Sequence, residues 1–219
     1  SARAGKDLKV TRVGARRDHA GHDYGDARVS RDVMDVARDP EVDVLVELIG
    51  GTGVAYDLIK LAIEQGKHIV TANKALIAEH GNELCALAEA AGVQLGFEAS
   101  VAGGIPIIKA LRESMAANEV QQVAGIINGT GNFILTEMSS KGRAFDDVLA
   151  EAQALGYAEA DPTFDIDGTD AAHKLVILAS LAFGIPLNID GPVKQGINTV
   201  TPTDLNYAAE LGYRVKHLG

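Results

Sequence analysis

The chain has no tryptophan, one cysteine and six prolines, and aromatic residues make up only 5% of it. Cys85 alone cannot close an internal disulfide, and its setting in an alanine- and leucine-rich stretch reads as core packing rather than a reactive thiol. Folding must therefore rest on a buried apolar core. Positive charge is also scarce: 20 Lys and Arg stand against 30 Asp and Glu, a net charge of −10. Such a field repels phosphate backbones and anionic lipid, which excludes nucleic acid and a membrane as the main partner and leaves small molecules. No apolar run reaches the roughly 18 residues of a spanning helix. The opening Ser-Ala-Arg-Ala-Gly-Lys is not a signal peptide, so the default setting is the cytoplasm.

What is abundant is hydrophobic residues, 47% of 219, and glycine, 24 in all. That is enough for one large core or two modest ones, and two domains are expected. Residues 8–13 alternate like a strand. Residues 42–49 form a more buried run that ends in Gly50-Gly51, and a polar loop and a short helix over 32–38 lie between. Helical spacing over 56–65 stops at Gly66, a short strand follows at 68–71, then a helix over 75–91 and a strand over 93–98. Strands alternating with helices across short glycine turns predict a doubly wound parallel sheet.

From Gly103 the pattern changes, so the boundary is placed between domains 1–103 and 104–219. Pro106 opens a helix to about Met115. Residues 120–127 read as a strand, 131–142 and 146–154 as helices, and a buried helix runs to Phe183. A last amphipathic helix is expected near 205–211.

The turns carry the chemistry. Ligands bind at the carboxyl ends of strands in such sheets, and an arginine after the second strand accommodates a 2′-phosphate. Arg16 and Arg17 follow the strand over 8–13, which favours NADP over NAD; a pair of solvated loop arginines is the plain alternative. Gly50-Gly51-Thr52-Gly53 permits close backbone approach. Thr71-Ala-Asn-Lys74 places a lysine at a helix start, against the helix dipole. Glu98 and the glycine-rich turn to Pro106 offer oxygen ligands for a hard cation. Asn128-Gly-Thr-Gly-Asn132 lacks the lysine of a phosphate loop. His19-x-x-His22 has no further ligands and reads as solvated loop.

Five carboxylates, Glu159, Asp161, Asp165, Asp167 and Asp170, crowd ahead of an apolar helix carrying Lys174. Asp167, Asp170 and Lys174 fall three and four apart and would share one face. An N-cap at Asp167 or Thr169 with an ordinary ion pair would explain the charges. The apolar continuation from Leu175 to Phe183 argues instead for burial, where a lysine needs a partner or a task. His173 points away from Lys174 by about 100° of helix rotation.

Taken together, the block from Gly156-Tyr-Ala-Glu-Ala-Asp-Pro to Asp165-Ile-Asp-Gly-Thr-Asp170-Ala-Ala-His-Lys174 resembles the signature of homoserine dehydrogenases. Val70 to Lys74, Glu98 to Pro106 and Gly125 to Leu135 match in the same order. The resemblance implies an α/β fold, an incomplete Rossmann-like parallel sheet followed by an α+β substrate and dimerisation domain. It implies NAD(P)-dependent interconversion of L-homoserine and L-aspartate 4-semialdehyde, on the way to threonine and methionine, by a homodimer. Lys174 would donate the proton, with Asp170 and Lys74 beside it. Glu159, Asp165 and Asp170 would hold the substrate. Gly51, Thr71, Lys74 and Gly156 would join Arg16 and Arg17 at the cofactor. Glu98 and the carbonyls of Val101, Gly103 and Ile105 would hold a monovalent cation, sodium.

The family's first strand and its G-x-G-x-x-G turn are not in this sequence, and the family's chain continues past Gly219. The expectation is a chain cut at both ends that binds dinucleotide weakly by itself; any regulatory or aspartate kinase domain lies outside it. Two rival readings stay open: another amino-aldehyde dehydrogenase of similar build, and a non-catalytic fragment that dimerises or binds ligand.

Overall fold

Short apolar runs punctuated by glycine build two parallel sheets in the first of two units, Ser1–Gly103 and Gly104–Gly219. The structure, a computed structural model, describes residues 5–17 and 21–219. β1 (Arg12–Gly14) pairs in parallel with β2 (Arg28–Ser30), with Val13 opposite Val29. β3 (Val44–Glu47), β4 (His68–Thr71) and β5 (Leu95–Gly96) form the other sheet in that order, also parallel. Between strands run α1 (Met34–Arg38), α2 (Val54–Glu64) and α3 (Lys74–Ala90).

The β3-β4-β5 sheet has two unlike faces. Leu45, Ile69 and Leu95 pack toward a core made with Leu58, Ile59 and Ala62 of α2 and Leu76, Ile77 and Leu84 of α3. Val44, Val46 and Val70 are exposed, as the two-residue period of a strand requires. Parallel sheets are ordinarily covered on both faces.

Three expectations for this unit are corrected. The strand over 8–13 shrinks to Arg12–Gly14, with Leu8 and Val10 exposed. β2 was not foreseen, being three residues with a single apolar side chain. Cys85 is exposed rather than packed in the core, because it follows the buried Leu84 by about 100° around α3. Asp18 and His19 lie outside the described residues, and the ring of His22 stacks on Tyr24.

In the second unit, α4 (Ile107–Lys109) continues as a wider π turn over Ala110–Ser114. Then come α5 (Gly129–Lys141), α6 (Phe145–Ala154), the single turn α7 (Thr163–Ile166), α8 (Thr169–Phe183) and α9 (Pro202–Glu210). Ile134, Leu135 and Met138 of α5, Val148 of α6, Leu205 of α9 and Ile197 from the chain ahead of it form one core. Thr201 and Asp204 close α9 with a reciprocal capping box.

The strand expected over 120–127 is not a strand. Its side chains do alternate, with Val123, Gly125 and Ile127 half-buried and Gln122, Ala124 and Ile126 exposed. Its backbone, however, meets only one reciprocal pair of bonds, Gly125 with Gly219 at 3.0 Å each way. The two-residue period is present, and a ladder partner among the described residues is not.

Candidate active site

Asn128, at the N-cap of α5, gathers the acidic block. Its Oδ1 accepts from the Gly131 N–H at 2.7 Å, while its Nδ2 donates to Asp165 Oδ1 at 2.8 Å and to Asp170 Oδ2 at 2.9 Å. Asp170 sits in the first turn of α8, and the same Oδ2 accepts from Lys174 Nζ, four residues on, at 2.6 Å. Lys174 also donates to the Ile127 carbonyl at 2.8 Å. The side chains of Asp170 and Lys174 are 7% and 19% exposed, so the ion pair is held at the edge of the core. Two N–H bonds of the ammonium are placed in this way, and the third can reach an incoming oxygen.

α8 begins after Gly168, whose φ of 89° suits glycine and turns the chain sharply. Asp167 neither caps the helix nor joins Lys174, as the spacing had suggested. Its carboxylate accepts from the Thr169 N–H at 2.8 Å and hydroxyl at 2.9 Å. A left-handed residue between Asp167 and the helix breaks the periodicity that would have put the three on one face. His173 is buried with its ring edge-on to Phe164. Gly156 and Glu159 are exposed. The Thr163 hydroxyl and backbone N–H hold the Asp161 carboxyl below the usual carboxylate range.

In the first unit the strand ends are organised by a carboxylate that the sequence reading missed. Glu47, at the end of β3 and fully buried, accepts from the N–H of Ile49 at 2.7 Å and of Gly50 at 3.0 Å, and from the Thr71 hydroxyl at 2.6 Å. Thr71 in turn accepts from Asn73 N, and Asn73 Nδ2 donates to the Gly51 carbonyl at 2.7 Å. The Thr71 side chain thus braces the two turns from inside, and the whole residue is buried. Lys74 is the first residue of α3, after the Asn73 cap. Glycines 50 and 51 have left-handed φ and open space around them, which lets a ligand approach the backbone. Arg16 and Arg17 are exposed just after β1. Arg31, also overlooked, donates to the Ala15 carbonyl and puts a third guanidinium at this turn.

After β5, a 3-10 turn over Glu98–Ser100 leads to Ala102, a non-glycine residue held at φ 53°. Such a conformation costs about 1 kcal/mol or more. Among the described residues no three His, Cys, Asp or Glu side chains converge as a metal cluster, so a cation at this turn would depend on carbonyl oxygens. A cleft of about 650 Å³ opens beside β2, lined by Arg12, Arg28, Ser30, Asp35, Arg38 and Glu41 among others. Its guanidiniums are already matched, Arg12 with Asp39, Arg28 with Glu41 and Arg38 with Asp32 and Asp35, so the chemistry is not placed there.

A parallel α/β unit with open glycine turns at its strand ends is thus followed in the same chain by a unit holding a part-buried acid–lysine pair. The family model for the homoserine dehydrogenase NAD binding domain matches residues 2–98, and that for homoserine dehydrogenase matches 106–219. The homoserine dehydrogenase of Pseudomonas aeruginosa is 62% identical over 217 residues, 99% of this chain and 50% of that protein. That of Neisseria gonorrhoeae is 54% identical over 100% of this chain and 51% of its own. A crystal structure of the Thiobacillus denitrificans homoserine dehydrogenase superposes with a TM-score of 0.94 at 55% identity, over 100% of this chain and 51% of that one. A hyperthermophilic archaeal homoserine dehydrogenase solved in complex with NADPH gives 0.72 at 34% identity, over 80% and 54%. The chain belongs to the homoserine dehydrogenase family, and it spans about half the length of the relatives it matches. No helix among the described residues is long and apolar enough to cross a membrane.

Proposed function

We propose that the protein carrying this chain interconverts L-homoserine and L-aspartate 4-semialdehyde with NADP, as a cytoplasmic homodimer serving threonine and methionine synthesis. The observation that carries this reading is the Lys174 ammonium fixed between Asp170 Oδ2 and the Ile127 carbonyl. Bound nicotinamide supplies the hydride that adds to the aldehyde carbon. As negative charge grows on the aldehyde oxygen, Lys174 stabilises it and donates the proton. Asp170 keeps that ammonium aimed. Glu159, Asp165 and Asp170 attract the ammonium of the amino-acid substrate, and Lys74 adds positive charge at the strand ends of the first unit.

The residues present suit a dinucleotide. Gly51 lies on an open turn at a strand end that the buried Thr71 would brace beneath the cofactor, Arg16 and Arg17 offer exposed charge for a 2′-phosphate, and Gly156 lies on an exposed turn of the second unit. NADP is preferred for that arginine pair. They also suit a monovalent cation such as sodium. The left-handed Ala102 bends the chain between the carbonyls of Val101 and Gly103, and Glu98 and the Ile105 carbonyl would complete a hard oxygen set.

The full-length protein is expected to reduce NADP when given L-homoserine, followed by nicotinamide absorbance, and to prefer it to homologous alcohols lacking the amino group. No turnover of homoserine in a folded, cofactor-binding preparation would reject the reading.

A further inference from the structure

Asn128 is only 3% exposed, and its side-chain amide is engaged at both ends. A flipped amide would aim Oδ1 at two carboxylates and present an N–H to the Gly131 N–H, so the hydrogen bonds themselves define its orientation. Its backbone is held as well. Asn132 Nδ2 donates to the Asn128 carbonyl at 2.9 Å and to the His217 carbonyl at 2.8 Å, and Asn132 Oδ1 accepts from His217 N at 2.9 Å.

We propose that Asn128 is a positioning residue for the proton transfer proposed above, on which reading the kinetic part of this inference rests. One neutral NH2 group separates and fixes two carboxylates, Asp165 and Asp170, that would otherwise repel each other across a poorly hydrated space. With Asp170 tied by Asn128, its Oδ2 faces Lys174 in one orientation, and the ammonium is located against the Ile127 carbonyl. Without the tie, Asp170 turns on its χ angles and the lysine follows it. The titratable and charged groups facing Asn128 are Asp165 from α7, Asp170 and Lys174 from α8, and His217 from the C-terminal segment. The His217 ring reaches the same space: a Cβ on Gly131 would lie 3.0 Å from His217 Nδ1 and 3.1 Å from Asn128 Oδ1.

A helix-capping role accounts for Oδ1 alone, and aspartate caps as well as asparagine does. N128D therefore separates the two roles, because it keeps the cap and replaces the donor by a third carboxylate. In the full-length protein N128D is expected to lower kcat for homoserine oxidation by about tenfold or more near neutral pH, leaving the KM for NADP unchanged. The deficit should narrow as pH falls, when a carboxyl O–H takes the place of the lost N–H. A wild-type kcat and pH profile in N128D would overturn the proposal. A second measurement needs no turnover: by 15N NMR of the unsubstituted protein, the Asn128 NH2 protons are expected to exchange slowly with solvent, and faster in D170N. Exchange at the rate of an exposed asparagine would overturn it equally. If homoserine is not a substrate at all, the functional reading falls, while the exchange measurement still decides whether the tie exists.

Discussion

Asp170 and Lys174 stand one helical turn apart on α8, joined at 2.6 Å, with the lysine side chain 19% exposed. Removing the ammonium leaves Asp170 paired with Asn128, so the fold should survive the change better than the chemistry. In the full-length protein, Lys174→Met is expected to reduce kcat by about 10²–10⁴-fold, with the dissociation constant for NADPH little changed. Near-normal turnover would take Lys174 out of the reaction.

The exposed Arg16 and Arg17 make a cofactor-selectivity prediction. Replacing both with alanine should weaken NADP binding by tenfold or more, at about 1.4 kcal/mol per factor of ten, while NAD binding stays nearly constant. Titration of each cofactor by fluorescence distinguishes the cases, and equal losses would show that these arginines do not read the 2′-phosphate. Arg31, fixed to the Ala15 carbonyl, is the residue to replace next.

Space at Gly131 is limited by His217 Nδ1 at 3.0 Å and Asn128 Oδ1 at 3.1 Å. Gly131→Ala favours the helix intrinsically yet forces one of these groups to move. The expected result is net destabilisation of about 1–3 kcal/mol, read as a lower Tm, with a loss of turnover because Asn128 is displaced. An unchanged or raised Tm would mean the His217 ring yields freely.

Thr71→Val keeps the shape of a fully buried side chain and removes its hydroxyl. Glu47 then loses the donor at 2.6 Å and the Asn73 N–H loses its acceptor, at an expected cost of about 1–3 kcal/mol. Because Glu47 also holds the N–H groups of Ile49 and Gly50, cofactor affinity should fall along with denaturation midpoint. A variant that loses neither would show that this brace is dispensable.

Acid should weaken the first unit through Asp39. The Glu41 backbone N–H, followed by the Arg12 side chain, holds the Asp39 carboxyl below its ordinary 3.8. The unfolded chain therefore takes up this proton first. The stabilisation is fully present above the ordinary value and disappears as pH falls through the lower folded one. Urea midpoints measured from about pH 6 to pH 3 should show this loss, and R12A should make it smaller, since the onset is set by the unfolded chain and the variant lets the folded carboxyl rise back toward its ordinary value.

Long elements with a strong period were legible in the residues. Helix over 56–65 was expected and Val54–Glu64 is observed; residues 75–91 became Lys74–Ala90. Such segments bury one continuous stripe, and glycine ends them at a definite place. β2 was missed because three residues with one valine carry no period. The segment 120–127 has the alternation of a strand, yet pairing is a relation between segments, and among the described residues only Gly125 exchanges backbone bonds with another segment. Asp170 with Lys174 was visible because i,i+4 spacing is local. Asp165 with Asp170 through Asn128 was not, since the amide reaches them from 37 and 42 residues away. An asparagine immediately before a glycine-led helix announces a cap, and nothing in that signal announces what its other two N–H bonds will do. Glu47 was hidden for a similar reason, as a carboxylate in a strand looks exposed until its three donors are seen.

The bare face formed by Val44, Val46 and Val70 has a consequence for handling the 219-residue chain. Two forces oppose each other when such molecules meet: mutual repulsion from a net charge of −10, and attraction between uncovered valines. Added salt shortens the reach of the first to about 8 Å at physiological strength and strengthens the second if anything. The chain should therefore stay dispersed in dilute buffer and turn cloudy on dialysis into concentrated salt, the reverse of a protein whose self-association depends on ion pairs. Light scattering against ionic strength would show which force governs its colloidal behaviour, and V46K should keep the solution clear.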